Sequence, residues 1–345
     1  MDISLFDYDL PDQLIAQSPL LERDSSRMLV VRRREQNWSD SQFINLPDYL
    51  RSGDVVVVNN TRVFPARITG HREPSGGHVE ILLVRELQSL TWEALVRPGN
   101  RLRQGAIVRF KESNAIVELL DAPGSEMRLV RFNSSTDFEE LLKVFGQVPL
   151  PPYIKRPAGP TRTDEERYQT VFAKERGAIA APTAGLHFTS STFDRLARQG
   201  VEAIEITLHV GYGTFEPVRS TSILEHRVRA ESFDVSREAA AAINARRAGG
   251  GRVVAIGTTT TRALESSVAI DGSLQATRSV ANLTITPGHE FRATDVLLTN
   301  FHLPKSSLLL LVAAFAGREL ILEAYKHAVQ ERYRFYSYGD CMLIV

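Results

Sequence analysis

Apolar residues in this chain fall into two rhythms, and the change between them divides the sequence. "GDVVVVNNTRVFPARI" (53–68) is a continuous β-branched run bounded by Gly53 and an asparagine pair, which predicts a buried strand. From about Ala66 to Arg156 the pattern becomes short alternating segments: "HVEILLV", "TWEALV", "AIVRF", "AIVELL" and "MRLVRF". Gly, Pro and Asn punctuate them, and "TDFEELLKVFG" is the one helical stretch among them. That spacing predicts a small all-β sandwich or barrel. Past "LPPYIKRP" strands alternate with helices. "AIAAP" (178–182), "VEAIEITLHV", "RVVAIG", "TDVLLTNFH" and "RFYSYGDCMLIV" read as strands. "STFDRLARQG", "REAAAAINARRAGG", "TTTTRALES" and "RELILEAYKHAVQERY" read as helices. The expected fold class is α/β: a discontinuous domain (1–65 and 157–345) whose mostly parallel sheet is covered by helices, with an inserted small all-β barrel domain at 66–156.

The most apolar stretch is "LLTNFHLPKSSLLLLVAAFAG" (297–317). A spanning helix needs roughly 20 apolar residues, whereas here the uninterrupted part is Leu308 to Ala316, closed by Gly317 and charged Arg318 and Glu319. It reads as a core helix. The start, "MDISLFDYDLPDQL", lacks the basic region and apolar core of a secretory signal. A soluble, cytoplasmic protein without a membrane partner is the expectation.

Charge adds one constraint. Forty-one basic residues balance 41 acidic ones in 345, so a nucleic-acid partner must meet a local basic patch. Candidates are "VRRRE" (31–35), the stretch from Arg97 through Arg101 and Arg103 to Arg109 and Lys111, and Lys155 with Arg156. A solvated charged face is the commoner reading of each. A single cysteine, Cys341, rules out an internal disulfide and a cysteine zinc cluster. The histidines lack metal-ligand spacing, so no metal is expected.

Ligands of open α/β sheets bind beyond the carboxyl ends of the strands. Four such ends carry polar corners: "APTAGLHFT", "LHVGYGTFEP", "AIGTTTTRALES" and "LLTNFHLP". Together they suggest one pocket. "IGTTTTR", a strand followed by Gly257 and hydroxyls opening a helix, suits an anion, although a threonine cap alone explains it equally. "GYG" (211–213) lacks the third glycine of a dinucleotide fingerprint. His187, His209, His226 and His302 lie in or near these corners, and histidine is the side chain most easily poised for proton transfer. A structural hydrogen bond remains the simpler role for any one of them. "NNTRV" (59–63), "HRVRAES" (226–232) and "YSYGD" (336–340) offer further amide, carboxylate and phenol groups.

In number, order and spacing these motifs resemble the S-adenosylmethionine:tRNA ribosyltransferase-isomerases of queuosine biosynthesis. The likeness covers nearly the whole chain, from "FDYDLPDQLIAQSPLLERDSSRMLVV" through "VPLPPYIKR", "RYQTVFA" and the four corners to "YSYGDCMLI". Arg229 stands where the family pattern has histidine, Thr286 where it has tyrosine, and His289 where an aromatic is usual. The resemblance implies an α/β domain with an inserted β-barrel. It also implies transfer and isomerisation of the ribosyl moiety of S-adenosylmethionine onto 7-aminomethyl-7-deazaguanine in the tRNA anticodon. S-adenosylmethionine would be a consumed cosubstrate, with no other cofactor. Balanced charge and the two-domain layout make a monomer the default expectation.

On that reading His187, His209, His302, Glu231 and Asp340 are the candidate catalytic groups. Asn60, Arg62, Thr183, Gly185, Gly211, Gly213, Thr214, His226, Gly257, Thr258, Thr259, Thr260, Arg262, Asn300 and Tyr336 are the candidate substrate contacts. Arg97, Arg101, Arg103, Lys155 and Arg156 are candidates for tRNA. Competing readings are a non-catalytic tRNA-binding module and an ordinary methyltransferase. A glycine-rich cofactor turn is missing for the latter. A tRNA-guanine exchange enzyme lacks its cysteine-rich zinc site here.

Overall fold

Four β-branched or leucine-rich runs pair in parallel to form the centre of the larger sheet. The computed structural model describes residues 1–99, 102–111, 113–133, 137–215, 218 and 220–345, without the side chains of Thr214 and Phe215. The chain opens with three short 3-10 turns before β1 (Arg27–Arg32) and β2 (Asn37–Gln42). β3 (Val55–Asn59) and the short β4 (Thr61–Val63) follow. Next come β5 (Arg67–Arg72), β6 (His78–Gln88), β7 (Thr91–Arg97), β8 (Ile107–Arg109), β9 (Ile116–Leu119) and β10 (Arg128–Phe132). Helix α1 (Phe138–Phe145), β11 (Gly146–Gln147) and α2 (Arg162–Arg167) lead back towards β12 (Glu175–Ala178). Thereafter strands and helices alternate: α3 (Ser190–Arg198), β13 (Glu202–Leu208), β14 (Glu231–Val235), α4 (Arg237–Ala248), β15 (Val253–Ile256) and α5 (Thr258–Ser267). The chain ends with β16 (Thr277–Ala281), β17 (Val296–Asn300), α6 (Ser307–Ala316), α7 (Arg318–Gln330) and β18 (Cys341–Ile344).

The nine-stranded sheet has the order β16-β14-β13-β3-β15-β17-β18-β1-β2. Its centre, β13-β3-β15-β17, is parallel, as is the β1–β18 pair, and the remaining pairings are antiparallel. The sheet is therefore mixed around a parallel core. Alternate residues Val56, Val58, Val254, Ile256, Val296 and Leu298 pack with Phe43, Phe172, Phe188 and Leu196 on one face. Helix α5 packs across β13, β3, β15 and β17. β3, β15 and β17 are buried on both faces, which requires continuous apolar runs, whereas β13 keeps an alternating pattern. The segment expected as a strand at 178–182 differs. Here β12 ends at Ala178 and pairs only with β4, while Pro182 leads into a 3-10 turn at Thr183–His187.

Two compact units divide the chain: Met1–Arg62, Pro152–Lys155 and Arg167–Val345 in one, Val63–Pro151 and Arg156–Glu166 in the other. In the second, β5-β6-β7-β10-β9-β8 is an antiparallel sheet closed by a β5–β8 pairing, with β11 added beside β5. Closure abolishes exposed edges. Asp164 also belongs to this unit, where Arg156 grips it at 2.7 and 2.9 Å.

Helix α6 is ten residues long, about 15 Å, and seven of its residues are buried. No helix among the described residues is long and apolar enough to cross a membrane.

Gly70 sits where β8 closes on β5, and a methyl there would lie 2.7 Å from Val108 Cγ1 and 2.9 Å from the Arg109 carbonyl oxygen. Because one neighbour is backbone, the strand itself must shift. Gly70→Ala is expected to destabilise the barrel unit by about 1–3 kcal/mol, seen as earlier proteolysis within residues 63–151 than in wild type. Equal protection would mean that closure tolerates a side chain.

Candidate active site

A cavity enclosing about 820 Å³ of empty space, part of it open to solvent, lies beyond the carboxyl ends of β15 and β17. β15 ends at Gly257, whose φ of +92° turns the chain sharply into α5 and favours glycine. The Gly257 N–H donates to the Leu298 carbonyl at 2.8 Å, so the turn is tied to the neighbouring strand. Gly257 gives α5 no side-chain cap. The hydroxyls of Thr260 and Thr261 bond back to the Ile256 and Gly257 carbonyls at 2.7 and 3.2 Å. Thr258 and Thr259 line the cavity instead, and the buried Thr259 Oγ1 has no partner. A helix start with open amides and an orphan hydroxyl is a ready anion site.

β17 ends at Asn300, which is 2% exposed. Its Nδ2 donates to the Tyr336 carbonyl at 2.9 Å, so its Oδ1 accepts. His187 Nε2 lies 3.3 Å from that oxygen, and His187 Nδ1 lies 2.9 Å from Ser26 Oγ. The imidazole therefore donates through Nε2 and accepts from Ser26 through Nδ1. Burial brings its pKa down to about 4. His302, two residues after Asn300, has Nε2 2.8 Å from Thr299 Oγ1. Its N–H donates to Tyr325 Oη at 3.1 Å, and its carbonyl accepts from Tyr8 Oη. Burial lowers its pKa to about 3. Both rings are neutral near neutral pH.

The remaining wall is apolar and aromatic. Ala181, Pro182 and Ala184 come from the 3-10 turn region, Val210 from the end of β13, and Leu303, Pro304 and Leu308 from the approach to α6. Tyr336 adopts φ +72°, an uncommon conformation for a bulky residue. Its buried hydroxyl has no partner, and its ring centroid lies 4.2 Å from that of Tyr153. Tyr153 Oη in turn lies 2.6 Å from Ser337 Oγ. No described residue of the wall carries a formal charge.

Of the residues singled out from the sequence, Thr183, Gly257, Thr258, Thr259, Asn300, His302 and Tyr336 line this cavity. His187 stands behind Asn300. Gly185 permits close packing, since a methyl there would meet Phe172 Cζ at 2.7 Å. Arg262 is buried in an ion pair with Glu231 and also donates to the Leu283 and Ala281 carbonyls at 3.2 and 3.1 Å. Glu231 accepts from the Gly211 N–H at 2.8 Å. This pair braces two of the corners rather than facing the cavity.

Asp340 accepts from the N–H groups of Arg27 and Arg334 at 3.0 and 2.8 Å, which fixes the backbone there. Asn60 bonds Glu205 and Thr207, and His209 Nδ1 lies 2.8 Å from Thr61 Oγ1. Arg62 is exposed. None of these four lines the cavity. His226 lies 2.7 Å from Ser307 Oγ at the start of α6. A smaller adjoining cavity is lined by Thr258, Thr259, Arg262 and Leu308.

Arg229, a departure from the family pattern, lays its side chain where a Cβ on Gly213 would come within 2.8 Å. His289, another departure, contacts the Phe291 ring at 4.8 Å, and its N–H donates to the Thr286 carbonyl at 3.0 Å. Arg101 and the Thr214 side chain lie outside the described residues. Arg97, Arg103 and Lys155 are exposed, whereas Arg156 is committed to Asp164. In the barrel unit a groove of about 1460 Å³ of empty space is lined by Arg72, Arg103, Arg109 and Lys111. Arg109 is paired there with Glu73. Tyr153, Ser26, Thr299 and Ser337 are not among the residues singled out from the sequence. Serine and threonine before a strand or turn carry no distinguishing local signal.

His187 sets a pH dependence. Above about 6.5 the ring is neutral whether folded or unfolded; below it the unfolded ring binds a proton that the folded ring refuses until about 4. Stability is therefore complete above that window and falls as pH drops through it. Melting temperatures measured across the window should fall less steeply for His187→Gln than for wild type. Parallel curves would show that this ring takes no part.

The family model described as "Queuosine biosynthesis protein" matches residues 3–344. S-adenosylmethionine:tRNA ribosyltransferase-isomerase of Pelotomaculum thermopropionicum is 49% identical over 345 residues, covering 100% of both chains. The protein of the same name from Syntrophotalea carbinolica is 50% identical over 353 residues, again covering 100% of both. The crystal structure of S-adenosylmethionine tRNA ribosyltransferase from Thermotoga maritima aligns with 99% of this chain and 100% of its own, with TM-score 0.55 and 34% identity. A match spanning both units and every corner of the cavity is a match of the whole architecture, and the chain belongs to the queuosine biosynthesis protein family.

Proposed function

We propose that this chain is a transferase that moves the ribosyl moiety of S-adenosylmethionine to the aminomethyl nitrogen of 7-aminomethyl-7-deazaguanine at the tRNA wobble position and isomerises it. Epoxyqueuosine-tRNA is the product, and adenine and methionine leave. S-adenosylmethionine is consumed, and no other cofactor takes part. The observation that carries this reading is the charge-free cavity, where two buried hydroxyls, Thr259 Oγ1 and Tyr336 Oη, lack protein partners. Buried polar atoms without protein partners call for a water or a ligand to satisfy them.

Position in the cavity supports each role. The open start of α5, with Thr258 and Thr259, receives the methionyl carboxylate. Asn300 and His302 contact the ribose, and Tyr153 with Tyr336 flank the adenine. A sulfonium acidifies its neighbouring 5′ carbon, so a neutral imidazole suffices as base, and His302 is the histidine in the wall. His187 is a positioning residue that holds the Asn300 amide. Leu303, Pro304 and Leu308 keep water from reactive intermediates. The basic groove of the barrel unit, with Arg103 and Lys111, meets the tRNA backbone. The enzyme works as a cytoplasmic monomer.

The test is one incubation of the protein with S-adenosylmethionine and an anticodon stem–loop carrying the aminomethyl base, followed by mass spectrometry. Adenine, methionine and an epoxyqueuosine nucleoside are expected. S-adenosylhomocysteine would instead mean methyl transfer. RNA binding without turnover would mean a non-catalytic module. In the same assay His302→Gln should lower kcat by at least about a hundredfold. Thr259→Val should raise KM for S-adenosylmethionine about tenfold at little changed kcat. Wild-type kinetics in both variants would remove these roles.

A further inference from the structure

A second cleft, of about 290 Å³ of empty space, lies on the other side of Ser337 from the main cavity. Ser337 lines both spaces, so they are one residue apart. The cleft is lined by Arg23, Ser26, Arg167 and His187, with Glu22 as its acidic member. Arg167 donates to the Leu21 and Leu20 carbonyls at 2.8 and 2.9 Å, while its buried Nε has no partner. Arg23 Nη1 donates to the Leu186 carbonyl at 3.1 Å. Close by, Arg334 donates to the Ser18 carbonyl, and its buried Nη1 is also without a partner. Arg167 and Arg334 thus spend these hydrogen bonds on main-chain carbonyls, not on carboxylates. Burial, and next the charge of Arg167, lower the proton affinity of Arg23. Like charges gathered in a partly buried cleft, with donors left over, call for an oxyanion.

We propose that the Arg23–Arg167 cleft binds a backbone phosphate of the RNA substrate while the modified base occupies the main cavity across Ser337. This rests on the RNA reading above. The same oxyanion chemistry is available from the methionyl carboxylate of S-adenosylmethionine. The open start of α5, inside the main cavity, already answers to that carboxylate. The cleft is therefore assigned to phosphate, which two guanidinium groups suit.

The experiment uses the full chain, S-adenosylmethionine and the stem–loop, comparing wild type with Arg167→Ala, Arg23→Gln and Glu22→Gln between about 50 and about 200 mM salt. Arg167→Ala and Arg23→Gln are expected to raise KM for the stem–loop about tenfold, with KM for S-adenosylmethionine unchanged. The slope of log affinity against log salt should shrink by about 0.7–0.9. Glu22→Gln, at an exposed position, should lower KM for the stem–loop about two- to threefold, the range expected from losing one partly screened like charge. It decides the matter even if Arg167→Ala unfolds for want of its carbonyl contacts. A rise in KM for S-adenosylmethionine alone would move the site to the carboxylate and overturn the proposal, as would stem–loop affinities unchanged in all three variants. A wild type that releases no adenine would defeat the reaction reading, not the cleft. Equilibrium titration of the same stem–loop against the variants would then decide whether the cleft holds phosphate, by the same changes in affinity and salt slope.

Discussion

Parallel pairing of β13, β3, β15 and β17 forces four chain exits onto one edge of the sheet. Every exit leaves backbone groups without ladder partners, and buried ones must find substitutes. Asparagine amides supply two of them. Asn59, ending β3, donates to the Leu208 carbonyl at 2.8 Å and accepts from the Leu208 N–H at 2.9 Å, adding one rung between β3 and β13 with a side chain. Asn300, ending β17, takes the Tyr336 carbonyl in the same way. Between them, β15 turns at Gly257 and ties to Leu298. With its neighbours fixed, the edge cannot collapse, and a cavity remains.

The same constraint governs the buried imidazoles. A protonated ring surrounded by amide and hydroxyl groups would lack a counter-charge, so burial keeps His187 and His302 neutral. Neutral His187 has one donor and one acceptor, and Asn300 and Ser26 use both. The ring is oriented by its neighbours and in turn orients Asn300. Charges sit one layer out. Glu231 and Arg262 neutralise each other while holding Gly211 and the β16 end in place.

Continuous apolar runs made the parallel strands legible, and short alternating runs made the barrel strands legible, because each follows from which faces are buried. Polar corners after β15 and β17 were legible for the same reason: their hydroxyls and amides interrupt runs that have no other cause to end. Direction was not. Val210 faces the cavity while His209, one residue earlier, bonds Thr61, and no local pattern says which neighbour points inward. Asp340 and Glu231 have the residue type for chemistry but hold backbone and guanidinium groups, a distinction made only by distant partners such as Arg27 and Arg262. Tyr153 reaches Tyr336 across 183 positions of chain, so no local pattern could pair them.

On the proposed reading, a wall without formal charge receives a substrate that carries a sulfonium, an ammonium and a carboxylate, and the two helices opening towards it differ in what they offer. Ser306, in the wall, caps α6 by accepting from the Leu309 N–H at 3.2 Å, which leaves that helix start partly satisfied. Gly257 has no side chain to cap α5, and Thr260 and Thr261 turn their hydroxyls back to carbonyls. The α5 start thus has open amides and the helix dipole available to an anion without any fixed cation. An arginine there would hold the carboxylate more tightly but would repel the sulfonium only a few bonds away. On the proposed reading, backbone dipoles would attract the anion locally and fall off within a turn, and the sulfonium would meet the apolar part of the wall. Leucines such as Leu308, at the mouth of the most apolar helix in the chain, are what that surface requires.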